Sequence, residues 1–109
     1  MNLFVQEAAE QDLLRQVEWY AEQGLPDIAR RFHAAVLVAI DALLAMPEAG
    51  PSKHTANPRL TGLRSWHVKG FDEFRVYYLA HQELITVVRI LHSKRDTGTI
   101  LTRQEIEES

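Results

Sequence analysis

The chain has 109 residues, of which 46% are hydrophobic and 25% are charged, so it is expected to form one small globular domain with a single core. It contains no cysteine, which excludes a disulfide framework and a thiolate metal site and fits a reducing cytoplasm. The longest apolar stretch, residues 34–46, is interrupted by Asp41 and too short to cross a bilayer, and no charged-then-apolar leader for export is visible at the N-terminus.

The net charge of −3 conceals an uneven distribution along the chain. Residues 1–51 hold three Arg or Lys against eight Asp or Glu, whereas residues 52–96 hold eight against four and residues 97–109 hold one against three. The basic segment coincides with the strands predicted below, and the acidic segment with the helices. A basic face can attract phosphate or an acidic protein, or it can be an ordinary solvated surface.

The N-terminal third predicts a short strand followed by a helix. Residues 2–5 are mainly apolar and predict a strand that pairs with later strands. A helix is predicted over about residues 7–23, because apolar residues recur there at helical spacing: Ala9, Leu13, Val17, Tyr20 and Ala21, flanked by Leu14. Gly24 follows as a left-handed stop, and Gln6 stands at the capping position, where glutamine is a poor cap.

Trp19 lies roughly opposite that apolar stripe, on the polar side of the predicted helix. Such a large aromatic either packs beneath a neighbouring loop or helix, or anchors a partner protein. The sequence leaves both readings open.

A second helix is predicted to begin at Pro26, which suits the first helical position, and to end at Met46 and Pro47. Its core-facing stripe consists of Ile28, Phe32, Val36, Ala39, Ile40 and Leu43. Leu37 and Val38 fall outside this stripe, which indicates a second contact with a partner protein or another copy, although single exposed valines are common.

Three strand-like segments follow the loop of residues 48–58. Residues 63–68, 74–80 and 84–91 are rich in β-branched and aromatic residues, and short polar connections at 69–73 and 81–83 join them. The chain therefore predicts the order β-α-α-β-β-β in one α+β domain: a helical hairpin on a small, twisted, mainly antiparallel sheet. Residues 97–109 form a C-terminal tail, in which residues 97–99 break the pattern and residues 100–109 form a short helix or an ordered segment.

Arginines within these apolar strands need a partner, because an unpaired buried charge is costly. Alternation predicts two faces for the last strand, one with Thr86, Val88 and Ile90 and the other with Ile85, Val87, Arg89 and Leu91. Arg89 is expected either to clamp Asp96 after the strand or to contact a ligand. Arg75, on the middle strand, must likewise reach solvent, an acid or phosphate.

Three stretches carry a resemblance to a known family: Val68–Phe71, Phe74–Tyr78 and Val88–Asp96, the last of which ends in His-Ser-Lys-Arg-Asp. This pattern resembles the ParE/RelE superfamily of toxins from bacterial type II toxin–antitoxin modules. It is closest to the ParE branch, whose members close the last strand with an Arg-Val-Leu-His-x-x-Arg-Asp run. Length and element order agree as well, so the resemblance covers nearly the whole chain.

The resemblance implies a cytoplasmic toxin that inhibits DNA gyrase by binding it, without a cofactor or metal, in a module of the plasmid-stabilization kind. It implies a cognate antitoxin that lays an amphipathic segment over the apolar helical surface, in a toxin–antitoxin hetero-oligomer or beside a homodimer. The expected contacts with the target or the antitoxin are Trp19, Leu37, Val38, Arg75, Arg89, Lys94 and Arg95.

The alternative is a ribosome-dependent mRNA endonuclease of the RelE type, with Arg75 and Arg95 on the scissile phosphate and His92 as acid or base. Residues 97–109 contain no Tyr or His to supply a late catalytic side chain, which argues against this alternative. His92 has a structural alternative too, a hydrogen bond that fixes the turn after the strand. The histidines show no i, i+4 pair, so no metal site is predicted, and direct nucleic-acid binding stays open.

Overall fold

The computed structural model describes residues 1–107 of the chain. Within them the elements follow the predicted order, with a short helix added at the end: β1 (Asn2–Val5), α1 (Glu7–Glu22), α2 (Pro26–Ala45), a 3-10 turn (Pro58–Leu60), β2 (Arg64–Val68), β3 (Phe71–His81), β4 (Leu84–His92) and α3 (Thr97–Arg103). None of the helices in this part of the chain is long and apolar enough to cross a membrane.

The four strands form one mixed sheet in the order β1-β4-β3-β2. β2, β3 and β4 form the predicted antiparallel meander, and β1 joins β4 in a parallel arrangement. A parallel pair needs a crossover connection, which the α1–α2 hairpin supplies. The hairpin is consequently held against one face of the sheet.

The main core lies between this hairpin and the sheet. The predicted stripe of α2 is buried there, with Ile28 half-buried at its start. On α1, Ala9 is buried and the next three members of the stripe pack against the core, but Ala21 and Leu14 are exposed. The ring of Tyr20 fills the core-facing position of the last turn, with its centroid 5.7 Å from that of Phe32, and Ala21 beside it stays at the surface.

A second, smaller core covers the opposite face of the sheet. The 3-10 turn and α3 cover this face of the strands. The buried residues of this core are Leu60, Leu63, Tyr77, Val88, Leu91 and Leu101. The predicted break at residues 97–99 is wrong, since α3 begins at Thr97. Gly98 lies in the first turn of this helix, and the helix brings Leu101 into the second core.

The alternation predicted for β4 holds only as far as Val88. Val87 and Arg89 pair with adjacent residues of β3, so the Val88 between them is an extra residue, a β-bulge. One extra residue exchanges the two faces of a strand. Ile90 therefore packs in the main core and Leu91 in the second core, so the faces predicted beyond the bulge are wrong.

The connections between strands are tighter than predicted. β2 and β3 are joined by Lys69 and Gly70 alone, with Gly70 at φ +85°, so β3 begins at Phe71 instead of residue 74. Gln82, at φ +55°, and Glu83 join β3 to β4. Two-residue hairpin turns require such positive φ values, because only they match the twist of the flanking strands.

The N-terminus of α1 is capped by the C-terminal tail. The poor cap predicted at Gln6 makes no side-chain cap hydrogen bond; instead its fully buried amide bonds elsewhere. Gln6 Nε2 donates to the Val88 carbonyl at 3.3 Å, and Gln6 Oε1 accepts from the backbone N–H of Glu107 at 2.7 Å. Glu107 Oε1 in turn accepts from the backbone N–H of Glu7 at 2.7 Å, so a carboxylate 100 residues away does the capping.

Candidate functional site

A cleft of about 460 Å³ opens between α1, the end of β4 and the turn that follows β4. We call it the Trp19 cleft; its apolar lining comes from Trp19, Phe74, Ile90, Leu91 and Ile100, and its polar lining from Asp12, Arg15, Gln16, Glu18, Glu22, His92 and Arg95. An apolar surface bordered by charges of both signs suits an amphipathic protein segment.

Trp19 itself is 51% exposed, so the reading in which it packs beneath a loop or helix is wrong. The indole stands edge-on to Tyr20, with ring centroids 5.4 Å apart. Tyr20 is anchored in the main core, and this contact orients the indole while leaving half of it at the surface. Its role as a partner anchor stays a prediction, now with a cleft to place it in.

One wall of the cleft is fixed by an ion pair between α1 and β4. Arg89 donates to both carboxylate oxygens of Asp12, from Nε and from Nη2, each at 2.7 Å. Asp12 Oδ2 also accepts the backbone N–H of Ile90 at 3.0 Å, and Arg89 Nη1 donates to Gln104 Oε1 at 2.9 Å. A bidentate pair with a shared backbone donor satisfies nearly every polar atom of both side chains.

The predicted clamp between Arg89 and Asp96 is therefore wrong. Arg89 reaches Asp12 on α1 instead of the turn beyond the strand. Asp96 is exposed and adopts φ +33° just before α3. The Arg89 side chain is only 16% exposed, and each of its three nitrogens donates a hydrogen bond within the domain. Little of its surface is therefore accessible for the partner contact that the sequence predicts.

The turn after β4 is held by His92 and Glu73. The backbone N–H of Lys94 donates to His92 Nδ1 at 3.2 Å, which assigns the ring proton to Nε2, and Nε2 donates to Glu73 Oε2 at 2.8 Å. Lys94 Nζ reaches the other carboxylate oxygen at 3.3 Å. The turn-fixing hydrogen bond expected of His92 is thus present, and both ring nitrogens are engaged.

The Glu73 carboxylate gives this turn a pH dependence. Its hydrogen bond with His92, then that with Lys94 and the charges of both groups, lower the pKa of Glu73 below the ordinary value of 4.5. A lowered pKa in the folded state contributes stability above the ordinary pKa, and this stability is lost as the pH falls through the lowered value. We expect wild type to be more stable than Glu73→Gln at pH 6 to 7, with the difference vanishing in acid.

Urea unfolding of both proteins across the acidic range measures this difference. Asp72→Asn is the matched control, since it removes the neighbouring carboxylate, whose side chain makes no ion pair within residues 1–107. A Glu73→Gln difference that stays constant down to the lowest pH would contradict this assignment.

The predicted contact residues do not form one patch. Trp19 and Arg95 line the Trp19 cleft, and Lys94 lies in the adjoining turn. Leu37 and Val38, 47% and 63% exposed, lie on the outer side of α2 and do not line this cleft.

Arg75 stands on the sheet face opposite Phe74 and Val76, which pack in the main core. Its Nη1 donates to the carbonyls of Asp72 and Phe74, at 2.7 and 3.1 Å. Arg75 is thus separated by the sheet from the main-core face.

Two residues of this site escaped sequence reasoning. Asp12 lies three residues after the buried Ala9, and a carboxylate so close to the apolar stripe is a signal for a buried cation partner. Gln104 carries no local signal, because its role depends on where α3 ends. No cluster of three or more His, Cys, Asp or Glu residues that could hold a metal ion occurs in the described part of the chain.

Comparison with known proteins agrees with this architecture. The family model for the ParE toxin of the type II toxin-antitoxin system, parDE, matches residues 3–97. A solved chain of the chromosomal ParDE toxin-antitoxin system from P. aeruginosa shares the fold, with a TM-score of 0.70 over 86% of this chain and 97% of that chain at 18% identity. The comparison with curated proteins gave no match. Because the family model spans most of its length, the chain belongs to the ParE family of toxins of type II toxin–antitoxin systems.

Proposed function

We propose that this ParE-family toxin inhibits DNA gyrase by binding it in the cytoplasm, with no bond chemistry of its own, and that a cognate antitoxin silences it. Family membership supports the toxin role and an antitoxin partner. Inhibition of gyrase would make loss of the antitoxin gene harmful, which is how such a module serves plasmid stabilization.

One observation favours a binding inhibitor over a ribosome-dependent nuclease. Cleavage at a 2′-hydroxyl needs a base, an acid and phosphate-binding cations directed at one point. Here both ring nitrogens of His92 are occupied, and Arg75 lies on the sheet face away from the main core, while His92 and Arg95 line the Trp19 cleft. Arg75 does not line the cleft that His92 and Arg95 share, so the three residues that the nuclease alternative requires are not brought together there.

Two assays of the purified toxin separate the candidates. A gyrase inhibitor blocks DNA supercoiling by purified gyrase and leaves ribosome-bound mRNA intact. Cleavage of that mRNA, abolished in His92→Ala and Arg75→Ala variants that remain folded, would establish the nuclease instead. A toxin that does neither and does not slow growth when expressed alone is a non-toxic binding module, and would contradict both.

The Trp19 cleft is the site where we place the antitoxin. The cleft offers a half-exposed indole above apolar side chains, and its rim carries Arg15 and Arg95 together with Glu18 and Glu22. Large aromatics that are oriented in advance lose little conformational entropy on binding and are frequent hot spots.

Trp19→Ala is expected to weaken antitoxin binding by about 2–4 kcal/mol, which is roughly 30- to 1,000-fold in Kd, without unfolding the toxin. Isothermal titration calorimetry with the purified cognate antitoxin measures this loss. Leu14→Ala is the matched control, because Leu14 is 55% exposed on the same helix and does not line the cleft. Equal effects of the two variants would show that the antitoxin binds elsewhere.

A further inference from the structure

A second cleft, of about 600 Å³, lies between the loop after α2 and α3. We call it the Lys53 cleft; the loop contributes Lys53, His54, Thr55 and Ala56, and α3 contributes Gly98, Thr99, Leu101, Thr102 and Arg103. It contains no carboxylate, although the chain carries a net charge of −3. Lys53 and Arg103 are 50 residues apart, so no local pattern predicts that they line one cleft.

Both walls of the Lys53 cleft are held by hydrogen bonds. Asn57 is 3% exposed, and its Nδ2 donates to the carbonyls of Leu101 and Gln104, at 2.9 and 2.8 Å. This amide ties the loop to the end of α3. On the far side, the backbone N–H of Lys53 donates to the Leu63 carbonyl at 2.8 Å, next to a bridge between Ser52 and Arg64. The cationic side chains are therefore carried on backbone that is positioned before any ligand arrives.

The donors in the cleft match a phosphate group. Lys53 supplies an ammonium group and Arg103 a guanidinium fork, and within residues 1–107 neither forms an ion pair. Thr102 donates its hydroxyl to the Gly98 carbonyl at 2.7 Å, and Thr99 and His54 belong to the same lining. Ammonium and guanidinium groups are the side-chain donors that proteins use to bind the oxygens of phosphate.

We propose that the Lys53 cleft binds a phosphate group, carried by a nucleotide or by a nucleic-acid backbone. The lining shares no residue with the Trp19 cleft, so this inference does not depend on how the antitoxin or gyrase binds. Lys53 and His54 belong to the basic segment of residues 52–96, for which the charge distribution predicts an attraction for phosphate. Arg103 lies outside that segment and contributes a further positive charge to the cleft.

The test uses the full-length toxin labelled with ¹⁵N. Inorganic phosphate, adenosine monophosphate and a short single-stranded DNA oligonucleotide are titrated separately, and backbone amide shifts are followed. All three are expected to shift the amides of Lys53, His54, Gly98 and Thr99. If phosphate and the nucleotide bind as tightly as the oligonucleotide, the cleft is a nucleotide site. If the oligonucleotide binds more tightly, the cleft is a site for a nucleic-acid backbone. Either result supports the proposal.

Charge variants test whether the cations carry the binding. Lys53→Gln and Arg103→Gln are each expected to weaken oligonucleotide binding by about three- to tenfold, and to reduce the salt dependence of log K by about 0.7 per contact removed. Lys69→Gln is the matched control, because Lys69 is an exposed lysine outside this cleft. The affinity of this variant for the oligonucleotide should differ from that of wild type by less than about twofold.

Three results would overturn the proposal. One is a set of amide shifts that lies away from the cleft. A second is an unchanged affinity in a folded Lys53→Gln/Arg103→Gln double variant. The third is binding of an acidic peptide such as tetraglutamate in the cleft when phosphate causes no shift, which would make it a site for an acidic protein.

Discussion

Replacing Asp12 by alanine is expected to lower the free energy of unfolding by about 3–5 kcal/mol, because the substitution leaves the guanidinium of Arg89 in a largely buried position without its counter-charge. The Asp12 side chain is 5% exposed and the Arg89 side chain 16%. The variant also removes the acceptor of the Ile90 N–H, which lies beyond the residues of β4 that pair with β1. Urea unfolding followed by circular dichroism measures the loss.

Two further variants isolate the cause. Arg15→Ala removes a second partner of Asp12 whose side chain is 68% exposed, and it should cost less than about 1 kcal/mol. Arg89→Met combined with Asp12→Ala removes both charges, so the double variant should be more stable than Asp12→Ala alone. A double variant that is less stable than Asp12→Ala would show that packing, and not the unpaired charge, dominates.

Gly50→Ala is expected to destabilise the fold by about 3 kcal/mol or more, because the added methyl has no space. An ideal Cβ at this position would lie 2.4 Å from the Ser65 carbonyl oxygen and 2.7 Å from the Tyr78 hydroxyl. The first of these is a backbone atom of β2, and the second belongs to a fully buried ring whose hydroxyl accepts the Gly50 N–H at 3.0 Å. Overpacking against groups that cannot move costs 1–3 kcal/mol or more in well-packed proteins.

Gly98→Ala is the matched control for Gly50→Ala. A Cβ at Gly98 meets nothing within 4 Å, and the residue lies in α3, so alanine there should change stability by no more than about 1 kcal/mol. Thermal unfolding of both variants gives the comparison. Similar melting temperatures for the two variants would show that the loop after α2 relaxes and that the close approach of Gly50 to β2 is not essential.

Asp12→Ala and Gly50→Ala are also expected to affect function, because Asp12 and Gly50 hold in place the backbone that forms the Trp19 cleft and the Lys53 cleft. Asp12 joins α1, which carries Trp19, to the end of β4 that carries His92. Gly50 fixes the loop that continues to Lys53 and Asn57. We therefore expect losses of stability at these positions to be accompanied by weaker binding at the corresponding cleft.

The amino-acid sequence by itself determined the order β-α-α-β-β-β, and three of its stretches, Val68–Phe71, Phe74–Tyr78 and Val88–Asp96, indicated the family. The stripe of α2 was readable because six apolar residues recur at helical spacing and only one side of that helix meets the sheet. Gly24 was readable as a stop, and it has φ +75° at the end of α1. These features are local, since helix periodicity and backbone preference depend on residues within a few positions of one another.

The tertiary structure alone decided which side chains meet. The bulge at Val88 is one extra residue, which periodicity cannot reveal, yet it exchanges the faces of β4 beyond it. Arg89 pairs with Asp12, 77 positions earlier in the chain, instead of the nearby Asp96. The cap supplied by Glu107 and the tie between Asn57 and α3 join segments that are far apart in the chain. Such contacts are set by the packing of whole elements, and a sequence pattern within one element carries no information about the residue that will face it.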